Sequence, residues 1–142
     1  MADLPKRGID ISEFNGNVDI QALKGPVEFV IIRCGYGSDY QNQDDSQFEA
    51  NVRKCQAAGM PWGVYLYSYA KTTAMAQSEA AHTLRLLAGR TPPYGVWYDV
   101  EDPGGQRGGL LPGHPEGRVL LRRICFPVLV ADKAQQPPAG PL

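Results

Sequence analysis

Cysteine is scarce in this chain: Cys34, Cys55 and Cys125 are the only three, far apart and without a CxxC pair. No disulfide framework or thiolate zinc site can organise the fold, and each thiol reads as a small buried hydrophobe. Histidine is scarcer still, with His82 in a helical stretch and His114 in a glycine-rich one. Neither has a partner at metal-ligand spacing, so no metal and no cofactor are expected. An excess of charge of one sign is also lacking, since 14 basic residues face 15 acidic ones for a net charge of -1. The bulk attraction towards nucleic acid or an anionic membrane surface is therefore missing, and neither is expected as a partner. Nor is there a hydrophobic run of membrane-spanning length. The Lys6 and Arg7 pair is not followed by an apolar stretch of signal-peptide length, so no Sec signal is expected.

What the chain does have is a regular alternation of strand and helix signals over its first 102 residues. "RGIDIS" (7–12) puts Ile9 and Ile11 on one face and Gly8, Asp10 and Ser12 on the other. A short helix is expected from Asp19 to Lys24, capped by Asp19 and stopped by Gly25. "VEFVIIRCGYG" reads as a buried strand, because its apolar residues run together before the glycines. Phe48, Val52 and Cys55 form the stripe of a second helix, with Asp45 as its expected cap and Gly59 and Pro61 at its end. "PWGVYLYSYA" is an aromatic-rich strand, and "TTAMAQSEAAHTLRLLAGR" is a helix with a threonine cap and Gly89 just past its end. "YGVWYDVED" supplies a fourth strand, giving βαβαβαβ and hence a parallel sheet covered by helices.

The end of that fourth strand carries the chemistry. Side chains alternate along a strand, so Trp97, Asp99 and Glu101 share one face, with the two acidic alpha carbons roughly 6 to 7 Å apart. This spacing suits a glycosidase, in which one carboxyl protonates the leaving oxygen and the other stabilises positive charge on the sugar carbon. Like charges at such range raise one pKa and keep an acid protonated near neutrality. A lone DxE is ordinarily the solvated end of a strand. Here other strands add groups at the same edge: Asp10 from the first, Arg33 from the second and Tyr67 from the third. Arg33 is a candidate substrate contact or an ion-pair partner that orients Asp10. Tyr65, Tyr67 and Tyr69 alternate onto one face, and Tyr67 is the one near enough to the strand end to touch a sugar. Trp97 either stacks on a sugar or fills the core.

Taken in order, "GIDISEFNG", "FVIIRCGYG", "DSQFEANVRKCQAAGMPWGVYLYSYA", "AQSEAAH" and "VWYDVED" resemble glycoside hydrolase family 25, the N-acetylmuramidase-type lysozymes. The resemblance covers about residues 7–102. It implies an incomplete β/α (TIM-like) barrel and cleavage of the β-1,4 bond between N-acetylmuramic acid and N-acetylglucosamine in peptidoglycan, without a metal. It further implies that Glu101 is the proton donor and that Asp99 and Asp10 flank the anomeric carbon. Covalent attack by a carboxylate and assistance by the substrate's N-acetyl group both remain open. The partner implied is the bacterial cell-wall glycan, reached from outside the cell or after release of a phage-type lysin made in the cytoplasm.

Beyond Asp102 the pattern breaks. "PGGQRGGLLPGHPEG" (103–117) holds nine Gly or Pro residues in fifteen, which forbids a continuous helix. Residues 1–102 therefore read as the N-terminal half of the barrel and 103–142 as an irregular tail. Permitted codons for "CFPVLVADKA" read one frame over allow an aromatic-rich run resembling a later family strand, so a frameshift is one account of the tail. A divergent end or a disordered linker is the other. A half-barrel would expose a strand edge and favour self-association. Beside the hydrolase stand two alternatives: an inactive remnant or glycan-binding module, and an unrelated open α/β binding domain with incidental acids.

Overall fold

The computed structural model describes residues 6–100 and the short strand at 120–122. Five strands form one sheet in the order β1 (Gly8–Ile11), β2 (Phe29–Tyr36), β3 (Trp62–Tyr67), β4 (Val96–Val100) and β5 (Leu120–Arg122). The first four are parallel neighbours, as the alternation of elements requires. Helices α1 (Ile20–Leu23), α2 (Phe48–Ala58) and α3 (Thr73–Leu87) fill the crossovers, so the architecture is α/β and a partial barrel. β5 runs antiparallel to β4, pairing Leu121 with Asp99. The expected boundary after residue 102 and the irregular tail otherwise lie outside the described residues.

The strand period divides the sheet into two faces. Ile11, Val30, Ile32, Cys34, Val64, Leu66 and Val96 join Phe48, Val52 and Cys55 of α2 and Leu87 of α3 in one apolar core. Their burial removes the helix-facing side of the sheet from water and holds the strands' other face in a fixed orientation. That opposite face carries Asp10, Arg33, Tyr65, Trp97 and Asp99, by alternation from the core positions.

The helix ends follow local chemistry. Asp19 caps α1 by accepting from the Ala22 N–H, and Thr72 caps α3 by accepting from the Met75 N–H. α2 ends at Gly59, whose left-handed φ of 65° suits a residue without a Cβ. Asp45 does not cap α2, whose N-cap is Gln47. The Asp45 carboxylate instead accepts from Arg33 Nε, from the Glu13 N–H and from the Gln47 N–H. A buried guanidinium is the stronger claimant on that carboxylate than a helix end that water can reach.

Candidate active site

The site is the carboxyl edge of the four parallel strands. Register places Arg33 beside Tyr65 and Tyr65 beside Trp97, and one step further along Tyr67 beside Asp99. A bulge between Arg33 and Gly35 shifts the pairing by one residue, so that Tyr36 partners Tyr67. The extra residue turns Tyr36 onto the face that carries Arg33. The Arg33 guanidinium carbon then lies 5.8 Å from the Tyr36 ring centre and 4.9 Å from that of Phe14.

Arg33 is not an ion-pair partner of Asp10. Its Nε donates to Asp45 Oδ2 at 2.8 Å and its Nη2 to Glu13 Oε1 at 3.1 Å. Asp10 pairs in register with Ile31, two residues short of Arg33, whereas the loops after β1 and β2 bring Glu13 and Asp45 beside the guanidinium. Glu13 also accepts from the N–H and the hydroxyl of Ser46, at 3.0 and 2.7 Å. These two bonds, aided by Arg33 and against a smaller cost of burial, hold the Glu13 carboxyl below its ordinary value. The cluster ties the β1 loop to the loop before α2.

Asp99 is buried at 4% exposure, while Asp10 is exposed. Between them stands Tyr65, itself 7% exposed. Burial pushes the Tyr65 phenol up, the Asp10 charge pushes it further, Arg33 opposes, and Asp99 and Asp45 add to the rise. One hydroxyl therefore senses both candidate carboxylates and stays a neutral hydrogen-bond donor. Sequence reading grouped Tyr65 with Tyr67 and Tyr69 but gave it no role, although its two-residue spacing from Tyr67 was a usable signal. Glu13 and Asp45 were missed as Arg33 partners, because ion pairing between two loops leaves no periodic trace.

Tyr67 is half-buried beside Asp99, with its ring 5.1 Å from Tyr69, and Tyr69 meets Tyr36 edge-on at 6.0 Å. Trp97 is half-buried on the cleft face, and its indole N–H donates to the Tyr94 carbonyl at 2.8 Å. The structure thus brings Asp10, Arg33, Tyr67, Trp97 and Asp99 to one face and edge. Glu101 lies outside the described residues. Among the described residues no cluster of three or more His, Cys, Asp or Glu side chains is arranged to hold a metal ion.

Comparison with known proteins bears on this arrangement. The modular autolysin LytC from Streptococcus pneumoniae, solved in complex with a synthetic peptidoglycan ligand, is 34% identical with a TM-score of 0.59; the match covers 68% of this chain and 22% of that one. The CTP1L endolysin is 33% identical with a TM-score of 0.58, over 65% of this chain and 33% of that one. The catalytic domain of endolysin ply40 from bacteriophage P40 of Listeria monocytogenes is 25% identical with a TM-score of 0.53, over 61% and 41%. The chain therefore spans well under half the length of these solved structures. None of the curated proteins matches it. The model of one family, glycosyl hydrolases family 25, matches residues 9–108, a stretch that starts within β1, takes in β2, β3 and β4 and holds every candidate site residue. With its parallel strands, its acids at their carboxyl edge and this match over most of its length, the chain belongs to glycosyl hydrolases family 25.

Proposed function

We propose that the chain is a peptidoglycan hydrolase of lysozyme type, cleaving the β-1,4 bond between N-acetylmuramic acid and N-acetylglucosamine. The observation that carries this reading is the family match across residues 9–108, which spans Asp10, Asp99 and Glu101 together. Supporting it are the peptidoglycan ligand of the LytC structure and the endolysin relatives. Glu101 donates the proton to the leaving oxygen, and Asp99 and Asp10 stabilise positive charge at the anomeric carbon. Asp99, buried beside Tyr65 and Tyr67, supplies its charge from a site with little solvent to screen it. Tyr65 donates a hydrogen bond within the cleft, Tyr67 and Trp97 offer ring faces to the sugars, and Arg33 fixes the floor beneath them. The substrate places the action at the bacterial cell wall.

Turbidity loss of purified bacterial walls tests the reading. The full chain is expected to clear them, and Glu101→Gln to slow clearance at least about 100-fold by removing the general acid. Equal rates for the two proteins would sink the assignment of Glu101. Retention on insoluble walls with no clearance by either protein would reassign the chain to glycan binding.

A further inference from the structure

Glu79 sits on α3, in the "AQSEAAH" segment, and is fully buried at 0% exposure. A carboxylate so enclosed persists only where donors converge on it. Its Oε1 accepts from the Tyr69 N–H at 2.8 Å. Its Oε2 receives the Ser68 hydroxyl at 2.8 Å and the Tyr98 hydroxyl. The two hydroxyls also touch each other, with 2.7 Å between Ser68 Oγ and Tyr98 Oη.

All three donors flank a single rung of the sheet. Tyr67 pairs with Asp99; Ser68 and Tyr69 follow Tyr67 directly, and Tyr98 precedes Asp99. The Ser68 N–H donates to the Asp99 carbonyl at 2.9 Å, which closes the loop between the two strand ends. A tie that merely fastened a helix to a sheet would be served as well by apolar packing, which is often neutral or better for stability. Here each of the three donors to one carboxylate, among the described residues, comes from the two residues after Tyr67 or the one before Asp99.

We propose that Glu79 is a positioning residue for Asp99: by gripping Ser68 and Tyr98 together it fixes the ends of β3 and β4 and so the direction in which Asp99 enters the cleft. The inference rests on the reading of Asp99 as a site carboxylate. Alternation sends Tyr98 towards α3 and Asp99 the opposite way, so holding the Tyr98 hydroxyl sets the twist of the strand on which Asp99 stands.

The test uses the full chain and three variants, Glu79→Gln, Tyr98→Phe and the double change. One readout is the titration midpoint of the Asp99 carboxyl, followed by carbon NMR; the other is wall clearance resolved into kcat and KM. Tyr98→Phe keeps the ring and leaves the Glu79 side chain itself unaltered, so a moved midpoint reports the loss of the Tyr98 linkage rather than removal of the acid. Each single variant is expected to move the Asp99 midpoint and to lower kcat about ten- to hundredfold with KM changed less than about twofold. The double variant is expected to go no further than the worse single one, because both act through one linkage. An unmoved midpoint in folded Tyr98→Phe, or fully additive losses, would overturn the proposal. A moved midpoint in a chain that never clears walls would uphold the positioning role and reject the hydrolytic reading. Should Glu79→Gln fail to fold, Tyr98→Phe decides alone.

Discussion

At the scale of single residues, Arg33 shows how far one position can be read from its neighbours in the chain. Its place at a strand end near acids was legible, but its partners were not, because Glu13 and Asp45 lie on separate loops that only the fold brings together. Arg33 and Asp45 are both almost wholly enclosed, with side-chain exposures of 9% and 0%. Arg33→Met therefore strands a buried carboxylate and is expected to lower stability by about 3 kcal/mol, read from urea midpoints. Arg33→Lys restores the charge without the fork and is expected to fall between the two. Cys34 and Cys55 are buried, as composition alone suggested for them, while Cys125 lies outside the described residues. Burial pushes the Cys34 thiol up to about 12, against a smaller pull from Thr83, and the Cys55 thiol up to about 11. Neither is expected to react with a thiol reagent at pH 8 until the protein is unfolded, as peptide mapping of the labelled sites will show.

At the scale of elements, the four parallel strands were readable from alternation or an unbroken apolar run and the two longer helices from apolar residues three to four apart, whereas the bulge in β2 left no such mark. Gly35 sits at that bulge, where an added Cβ would lie 2.6 Å from the Gln43 carbonyl oxygen and 3.0 Å from the His82 ring. Backbone cannot yield as a flexible side chain does, so Gly35→Ala is expected to cost about 1 to 3 kcal/mol, measured by thermal or urea unfolding. The segment it would disturb is pinned from α3. His82, fully buried, meets the Gly37 carbonyl through Nδ1 at 2.9 Å and Asp44 through Nε2 at 2.7 Å, and Arg85 grips Asp44 by two further bonds. Burial works against the Asp44 charge, yet Arg85 and His82 outweigh it and hold the carboxyl below its ordinary 3.8. Glu13 is likewise held below 4.5, chiefly by Ser46. With the folded pKa the lower one, acid makes the unfolded chain take up more protons. The stabilisation is thus present above the ordinary carboxylate range and lost as pH falls through it and below. Urea midpoints should be level at near-neutral pH and drop below about pH 4, and Glu13→Gln should blunt the drop; a midpoint independent of acid would contradict this account.

At the scale of the whole molecule, the parallel sheet was legible because strand and helix signals alternate strictly, and the segment after residue 102 was not, because its glycines and prolines erase any period. The strand Leu120–Arg122 lies in a stretch whose apolar residues follow neither period, so only its pairing with β4 reveals it. That pairing covers one side of β4, while at the other end of the sheet β1 has a strand neighbour on one side only among the described residues. A closed barrel has no such edge. Edge strands usually escape pairing with other chains through lysines, prolines or inward charges, and β1, reading Gly-Ile-Asp-Ile, offers a single acid. The net charge of -1 adds little repulsion between copies. We therefore expect reversible self-association through β1, seen as a concentration-dependent sedimentation coefficient. Amide exchange locates it: β1 amides should be protected in concentrated solution and lose protection on dilution, while those of β2 and β3 stay protected throughout. A single monomeric species at every concentration, with β1 exchange unchanged, would remove the edge as an interface.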